Sequence, residues 1–252
     1  MARAARKQPG PVYIGTSGWT YDVWKDLLYA GVPRARWLQH YATLFNAVEV
    51  NATFYHRLKE STFAKWHDET PKAFRFAIKA NRYLTHVERL SFPLPSLKEE
   101  RDRSAPLGDK LAVVLWQLPA GWHLDLARLQ RFLARLDQWP VPRHALEFRH
   151  TSWFSPEVAS LLSEHRVAAV QSDAADWPLW EAVTTDLVYL RLHGHESTYS
   201  SRYSARALGA WAREIDAWRA EGREVHVYFD NTDAGHAPED AARLAARLSP
   251  IR

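Results

Sequence analysis

The sequence predicts one α/β domain, a single (βα)8 TIM-type barrel with an irregular sixth βα unit. Three observations carry this. Eight short apolar or alternating runs recur along the 252 residues. Amphipathic helical patterns separate most of them. No linker, low-complexity tract or composition break divides the chain, so the repeated strand and helix belong to one body. An open doubly wound sheet is the alternative, because parallel βα repetition does not by itself demand closure.

Taken in order, residues 1–10 (MARAARKQPG) read as a disordered basic tail, and 11–252 as the barrel domain. No apolar stretch of signal-peptide length follows the tail. Strands are expected at Val12–Thr16, Ala47–Asn51, Arg75–Lys79, Leu111–Gln117, His144–Arg149, Val167–Ser172, Leu187–His193 and Glu224–Asp230. Each is short, rich in β-branched or aromatic residues, and bounded by polar or turn residues. Helices are expected at Arg34–Phe45, Ser61–Asp68, Asp125–Asp137, Pro156–His165, Ser204–Glu221 and Pro238–Leu248. Their apolar residues recur at three and four, as in Leu126, Leu129, Phe132, Leu133 and Leu136. Start signals support them: Asp125, Ser155 before Pro156, Ser204, and Pro238 before acids. The sixth unit is the exception. Trp177-Pro178 interrupts Asp173–Asp186 and leaves little room for a helix. Asn81–Asp109 is long and charged, with a short helix expected over Ser96–Arg103.

Composition removes several classes of protein. With 46% hydrophobic residues the chain can bury a large core, yet it has no run of about 18 apolar residues, so no membrane helix is expected. The absence of cysteine excludes disulfides, thiolate metal sites and cysteine nucleophiles, and fits a cytoplasmic protein. The 33 Lys and Arg against 29 Asp and Glu give a net charge of +4, but the basic residues form no stripe of the kind that tracks nucleic acid. Twelve tryptophans are an excess that can fill a core or stack on sugars or bases.

In a barrel of this kind the chemistry sits at the carboxyl ends of the strands. Those positions are polar here: Glu49 and Asn51, Lys79, Gln117, Glu147 and Arg149, Asp173, Arg191 and His193, and Asp230-Asn231. Within each pair spaced by two, both side chains share a face and point into the lumen, while Val50, Phe148 and Leu192 face the helices. Such charges can simply neutralise one another, Glu147 against Arg149 for instance. For the whole set, an apolar layer would close the barrel at lower cost, which favours a pocket. Loops add Ser17 and Trp19 after the first strand, His86 after the third, and His195 and Tyr199 after the seventh. His193-Gly-His195 with Glu49, Glu147 and Asp173 has the donor types of a divalent-ion site. No metalloprotease helix motif, phosphate-binding loop, nucleophile elbow or dinucleotide fingerprint occurs, and neither a metal nor a cofactor is expected.

These residues lie in motifs that resemble the YecE-like family, also known as domain of unknown function seventy-two: GTSGWTYDVW (15–24), YATLFNAVEVNATFY (41–55), FRFAIKANRYLTH (74–86), LWQLPAGW (115–122), ALEFRHTSWF (145–154), VYLRLHGHESTYSSRYS (188–204) and VYFDNTDAGHAPEDA (227–241). The resemblance covers nearly all of Tyr13–Leu248. It implies a TIM-type barrel and no established reaction. Where the family usually has two asparagines after the last strand, this chain has Asp230-Asn231, a carboxylate that can pair with a cation.

The function expected is an enzyme acting on a small anionic or sugar-like molecule. Glu49 and Glu147 are the acid–base candidates and His193 the proton carrier. Neighbouring cations should hold the carboxylates ionised, which suits a base better than an acid. Ser17, Trp19, Asn51, Lys79, His86, Gln117, Arg149, Asp173, Arg191, Tyr199 and Asn231 are the substrate-binding candidates, with Trp116 and Trp153 as further stacking surfaces for a sugar. A nucleic-acid-processing or nucleic-acid-binding barrel, and a non-catalytic ligand-binding barrel, are the alternatives.

Overall fold

A computed structural model of the chain describes residues 8–248. It contains eight parallel strands: β1 Val12–Thr16, β2 Ala47–Val50, β3 Arg75–Lys79, β4 Leu111–Gln117, β5 Arg143–Glu147, β6 Val167–Asp173, β7 Leu187–Leu192 and β8 Glu224–Phe229. They lie in the order β1-β8-β7-β6-β5-β4-β3-β2. Between them run α1 Trp37–Leu44, α2 Ala52–Tyr55, α3 Glu60–Asp68, α4 Leu94–Ser104, α5 Leu126–Leu136, α6 Pro156–Glu164 and α7 Ala205–Ala220, with α8 Ala237–Ala245 following the last strand. The sixth connection, 174–186, is irregular, as Trp177-Pro178 foretells. Most of the expected basic tail, residues 1–7, lies outside the described residues. Gly10, also assigned to that tail, is buried. Its N–H donates to the Arg219 carbonyl at 2.8 Å, and its carbonyl accepts from Arg219 Nε at 3.1 Å.

The caps behave as the sequence requires. Asp125 accepts from the Arg128 N–H at 3.0 Å, Ser155 from Val158 at 3.2 Å and Ser204 from Ala207 at 3.1 Å, each satisfying a donor that the first helical turn leaves without a partner. Behind its cap, α5 buries Leu129, Phe132, Leu133 and Leu136 against the sheet. The helix expected over Ser96–Arg103 is α4, slightly longer at both ends. Among the described residues, no helix is long and apolar enough to cross a membrane.

Period two sorts the strand residues into two cores. Val48, Val50, Val188, Leu190, Leu192, Val225 and Val227 face the helices in the larger one. Ala47, Ala77, Val113, Leu115, Ala145, Ala168, Val170, Tyr189 and Tyr228 fill the lumen. The lumen is thus a packed interior over its lower part. The layer at the carboxyl ends of the strands is charged.

Closure occurs at the β1–β2 seam, and side chains accomplish much of it. A single bridge joins Ser17 to Glu49, where the Gly18 N–H donates to the Glu49 carbonyl at 2.7 Å. Below it, Asn46 takes the place of a strand: Oδ1 accepts from the Ile14 N–H at 2.8 Å and Nδ2 donates to the Val12 carbonyl at 2.9 Å. The Tyr41 hydroxyl, arriving from α1, accepts from the Thr16 N–H at 2.8 Å and donates to the Ala47 carbonyl at 3.2 Å. Gly15 is required between them, since a Cβ there would lie 1.9 Å from the Ala47 oxygen. This seam excludes the open-sheet alternative. Tyr41→Phe should cost about 1–3 kcal/mol, because it strands buried backbone groups on both strands. A urea titration with unchanged slope would show it; a loss below about 0.5 kcal/mol would mean that the hydroxyl does not seal the barrel.

Candidate functional site

The charged layer is organised around Arg191. Tyr189 and Arg191 share the inward face of β7, so the guanidinium stands directly above the packed lumen and is only 1% exposed. Nε donates to Glu49 Oε2 at 2.9 Å. Nη2 donates to Glu49 Oε1 at 2.8 Å and to Asp230 Oδ2 at 2.9 Å. Nη1 donates to Glu147 Oε2 at 3.0 Å and to His193 Nε2 at 3.1 Å. Every N–H of the fork therefore has an acceptor, and three carboxylates, from β2, β5 and the residue after β8, converge on one cation.

The two glutamates are fully engaged. Glu49, with no exposed surface, also accepts from Ser17 Oγ at 2.5 Å and from the Tyr189 hydroxyl at 2.7 Å. Glu147 Oε1 accepts from Arg149 Nε and from Ser172 Oγ. Burial pushes the Glu147 carboxyl up, but Arg149 and Arg191 beside it prevail and hold it well below the usual carboxylate range. Asp230 behaves similarly: burial raises it, Arg191 lowers it, and the net result is a depressed carboxyl.

His193 can be assigned a tautomer from its neighbours. An arginine only donates, so Nε2 must accept and Nδ1 must carry the proton. Nδ1 lies 3.1 Å from Asp230 Oδ2. Burial, with Arg191 adding to it, lowers the imidazole's affinity for a further proton. It is a neutral spacer between Arg191 and Asp230.

Nearer the mouth two cations, Arg149 and Lys79, stand among neutral groups. The Arg149 guanidinium lies 3.8 Å over the Trp177 ring, and Trp177 Nε1 donates to Ser172 Oγ at 3.2 Å. The irregular sixth connection thereby places an indole over the cluster. Tyr199, 38% exposed, stands at the same rim, its ring centroid 5.5 Å from that of His193. Opposite, Lys79 lies 8% exposed with Nζ 4.2 Å over the Phe54 ring. Burial and the nearby Arg191 lower it from 10.5 to about 8. Half-buried His86 lies on the same side, its Nδ1 2.9 Å from Thr85 Oγ1, and burial together with Lys79 brings it down to about 4. Half-buried Gln117 pairs in register with Glu147. Asn51 caps α2, and its Oδ1 is buried with no hydrogen-bond partner among the described residues.

Glu49, Lys79, Glu147, Arg149, Arg191 and His193 thus meet at one place, with Ser17 bonded into it. Other expected positions fall elsewhere. Asp173 turns out of the lumen, because Ala168 and Val170 set the inward face of β6 and Ser172 continues it. The Asp173 carboxylate instead accepts from the Tyr203 hydroxyl at 3.0 Å and from Trp211 Nε1 at 3.3 Å, and lies 3.1 Å from His195 Nδ1. Asn231 also faces outward, donating to the Ser201 carbonyl at 3.0 Å and to Asp240 Oδ2 at 2.9 Å. The lumen position at the end of β8 is Asp230. The stacking surfaces proposed for a sugar are core residues: Trp19 packs edge-on against Trp66 and Trp116 edge-on against Phe132, while Trp153 stacks on Phe148. His193 and His195 diverge. Among the described residues, no group of three or more His, Asp and Glu has the arrangement of a metal site.

Sequence reasoning missed Trp177, Ser172 and Phe54 as parts of the cluster, and underweighted Asp230. Ser172 follows by counting in twos from Ala168 only once the structure shows that Ala168 faces the lumen. Trp177 does not follow from counting, since an irregular connection has no period.

Fold and cluster together define a closed parallel α/β barrel with a polar, arginine-centred cluster at the carboxyl ends of its strands. The chain belongs to the family described as protein of unknown function DUF72, whose model matches residues 13–251. The UPF0759 protein YunF of Bacillus subtilis is 27% identical over 94% of each chain. The UPF0759 protein YecE of Escherichia coli is 30% identical over a stretch covering 57% of this chain and 50% of its own. A crystal structure of a DUF72 family protein from Thermotoga maritima is 25% identical and superposes with a TM-score of 0.81, covering 94% of this chain and 98% of that one. One from Enterococcus faecalis, 20% identical, has a TM-score of 0.82, with 96% and 99% covered.

Proposed function

We propose that the protein is an enzyme acting on a small anionic molecule held at the carboxyl ends of the strands. The observation that carries this reading is the gradation of charge: carboxylates lie deep and bound to Arg191, while the cations Lys79 and Arg149 lie toward the mouth. An anion entering from solvent meets the positive side of that arrangement first, in a partly desolvated setting where the attraction is strongly felt. The sugar-like alternative loses its support because Trp19, Trp116 and Trp153 belong to the core.

The roles expected of the glutamates shift accordingly. With every oxygen of Glu49 and Glu147 already accepting from Arg191, Arg149, Ser17, Ser172 or Tyr189, these two position the arginine and leave proton transfer to the less encumbered Lys79. Lys79 titrates close to neutrality, as a catalytic base or acid needs to.

Isothermal titration with inorganic phosphate, glyoxylate and pyruvate, alongside neutral glycerol and glucose, tests the reading. Binding is expected for at least one anion and should weaken by about tenfold or more in Lys79→Met, the equivalent of about 1.4 kcal/mol. Binding of the neutral polyols alone would overturn it. Steeply salt-dependent retention on single-stranded DNA would favour a nucleic-acid barrel instead.

A further inference from the structure

Two lysines among the described residues are buried, and they are treated differently. Lys110, 4% exposed, is satisfied as a structural lysine should be: Nζ donates to the carbonyls of His67 and Thr70 and to Thr70 Oγ1. Lys79, at the end of β3, has no such acceptor. Among the described residues no carboxylate or carbonyl takes a hydrogen bond from its Nζ, and its neighbour is the face of Phe54 at 4.2 Å. Yet its backbone is firmly placed. The Thr53 hydroxyl donates to the Lys79 carbonyl at 2.7 Å, and Asn81 Nδ2 donates to the Thr53 carbonyl at 3.1 Å. The short helix that holds the end of β3 therefore also supplies the ring beneath the amine. Asn51 at the cap of that helix keeps its buried Oδ1 without a partner.

We infer that Lys79 is a nucleophilic amine that forms an imine with the carbonyl carbon of a small aldehyde or ketone bearing an anionic group. This rests on the reading of the mouth as an anion site and names the substrate class. A lysine becomes nucleophilic when it is desolvated beside another cation, and Lys79 meets both conditions. The charged and titratable groups around it are Glu49 on β2, Glu147 on β5, Arg191 on β7, Asp230 after β8, and His86 after β3. Burial and Arg191 favour the free amine and the carboxylates oppose it, which leaves about 8.

In the first step Nζ attacks the carbonyl carbon. The C–N bond forms as the C=O π pair moves onto oxygen, and that oxygen takes the proton shed by nitrogen, giving a carbinolamine. The proton that the ammonium gave up to solvent before the attack returns to this oxygen, which leaves as water while the nitrogen lone pair completes the C=N bond. The product is an iminium. It carries the charge that the ammonium carried before, so the balance against Glu49, Glu147 and Asp230 is preserved. No oxidant or reductant is involved, and the iminium becomes an electron sink for bond breaking at the adjacent carbon.

The test is trapping with borohydride on the full chain, using glyoxylate and pyruvate, with propanal as the neutral aldehyde, followed by peptide mass mapping. Lys79 should be alkylated by the anionic carbonyls at least about tenfold faster than the exposed Lys25, Lys59, Lys65, Lys72 and Lys98. Its rate should rise with pH about a midpoint near 8. Lys79→Arg, which keeps the charge, should lose that adduct and leave the surface lysines labelled as before. Labelling of Lys79 no faster than the surface lysines overturns the inference. If glyoxylate or pyruvate binds by titration yet leaves no adduct, the anion site stands and the imine is refuted. If propanal labels Lys79 as fast as glyoxylate, the amine is nucleophilic and the anionic requirement is refuted.

Discussion

Arg191→Met is expected to abolish the folded state at neutral pH. The substitution keeps much of the side chain's volume but removes the one group among the described residues that binds Glu49, Glu147 and Asp230 together. Breaking one buried pair by deleting a partner costs about 3–5 kcal/mol. Stranding three carboxylates should exceed about 5 kcal/mol, comparable with the total stability of an ordinary domain. Two further measurements separate this electrostatic cause from simple loss of packing. First, Glu49→Gln with Asp230→Asn in the Arg191→Met background should restore part of the urea midpoint. Second, the pH dependence should reverse. In the native protein the folded Glu147 and Asp230 carboxyls titrate below their ordinary 4.5 and 3.8, so their contribution is fully present above those values and is lost as pH falls through the lower folded ones. The native protein therefore loses stability on acidification. The variant should gain it, as the stranded carboxylates take up protons. A variant that folds normally at pH 7 would show that the carboxylates do not depend on Arg191.

Lys79→Met should do the opposite and stabilise the protein. A base whose folded pKa lies below its unfolded one is a liability wherever it is charged in both states. Here the folded value is about 8 against an ordinary 10.5. Below pH 8 the full penalty applies, which at about 1.4 kcal/mol per unit has an upper limit of about 3 kcal/mol. Between 8 and 10.5 the unfolded chain binds more protons than the folded one, so stability rises with pH, and above 10.5 the penalty is gone. The variant is therefore expected to be about 1–3 kcal/mol more stable at pH 7, the lower figure allowing for the lost contact with Phe54 and for the weaker balance against the carboxylates. The gain should vanish by about pH 10.5. Urea midpoints at the two pH values measure it. Destabilisation at pH 7 would mark Lys79 as a structural counter-ion. A gain in stability on removing this charge would support the catalytic role proposed for Lys79.

Much of this site was legible in the residues. The spaced pairs Glu147 with Arg149 and Arg191 with His193 share faces by period two, and that geometry holds. It fails at β6 and β8 for a physical reason. VAAVQSD is buried on both faces, so nothing in its polarity says which of Ser172 and Asp173 points inward. At Asp230-Asn231 both residues are polar, and only the register of β8 against β7 selects Asp230. The tryptophans misled because a large aromatic near a strand end can serve either the helix layer or the mouth. The indole that does cover the mouth, Trp177, comes from a connection without regular structure.

Local patterning determined the eight strands, most of the helices with their caps, and the placing of a polar layer at the strand ends. Those features depend on periodicity and on hydrogen bonds between near neighbours, which a linear sequence displays. Tertiary structure decided the rest: the side-chain seam of Asn46 and Tyr41 that closes the barrel, the convergence of Glu49, Glu147 and Asp230 on Arg191, and the isolation of Lys79 over Phe54. These are contacts between residues up to 142 positions apart. Their energies depend on burial and on which charge is already paired, and neither exists until the barrel has closed.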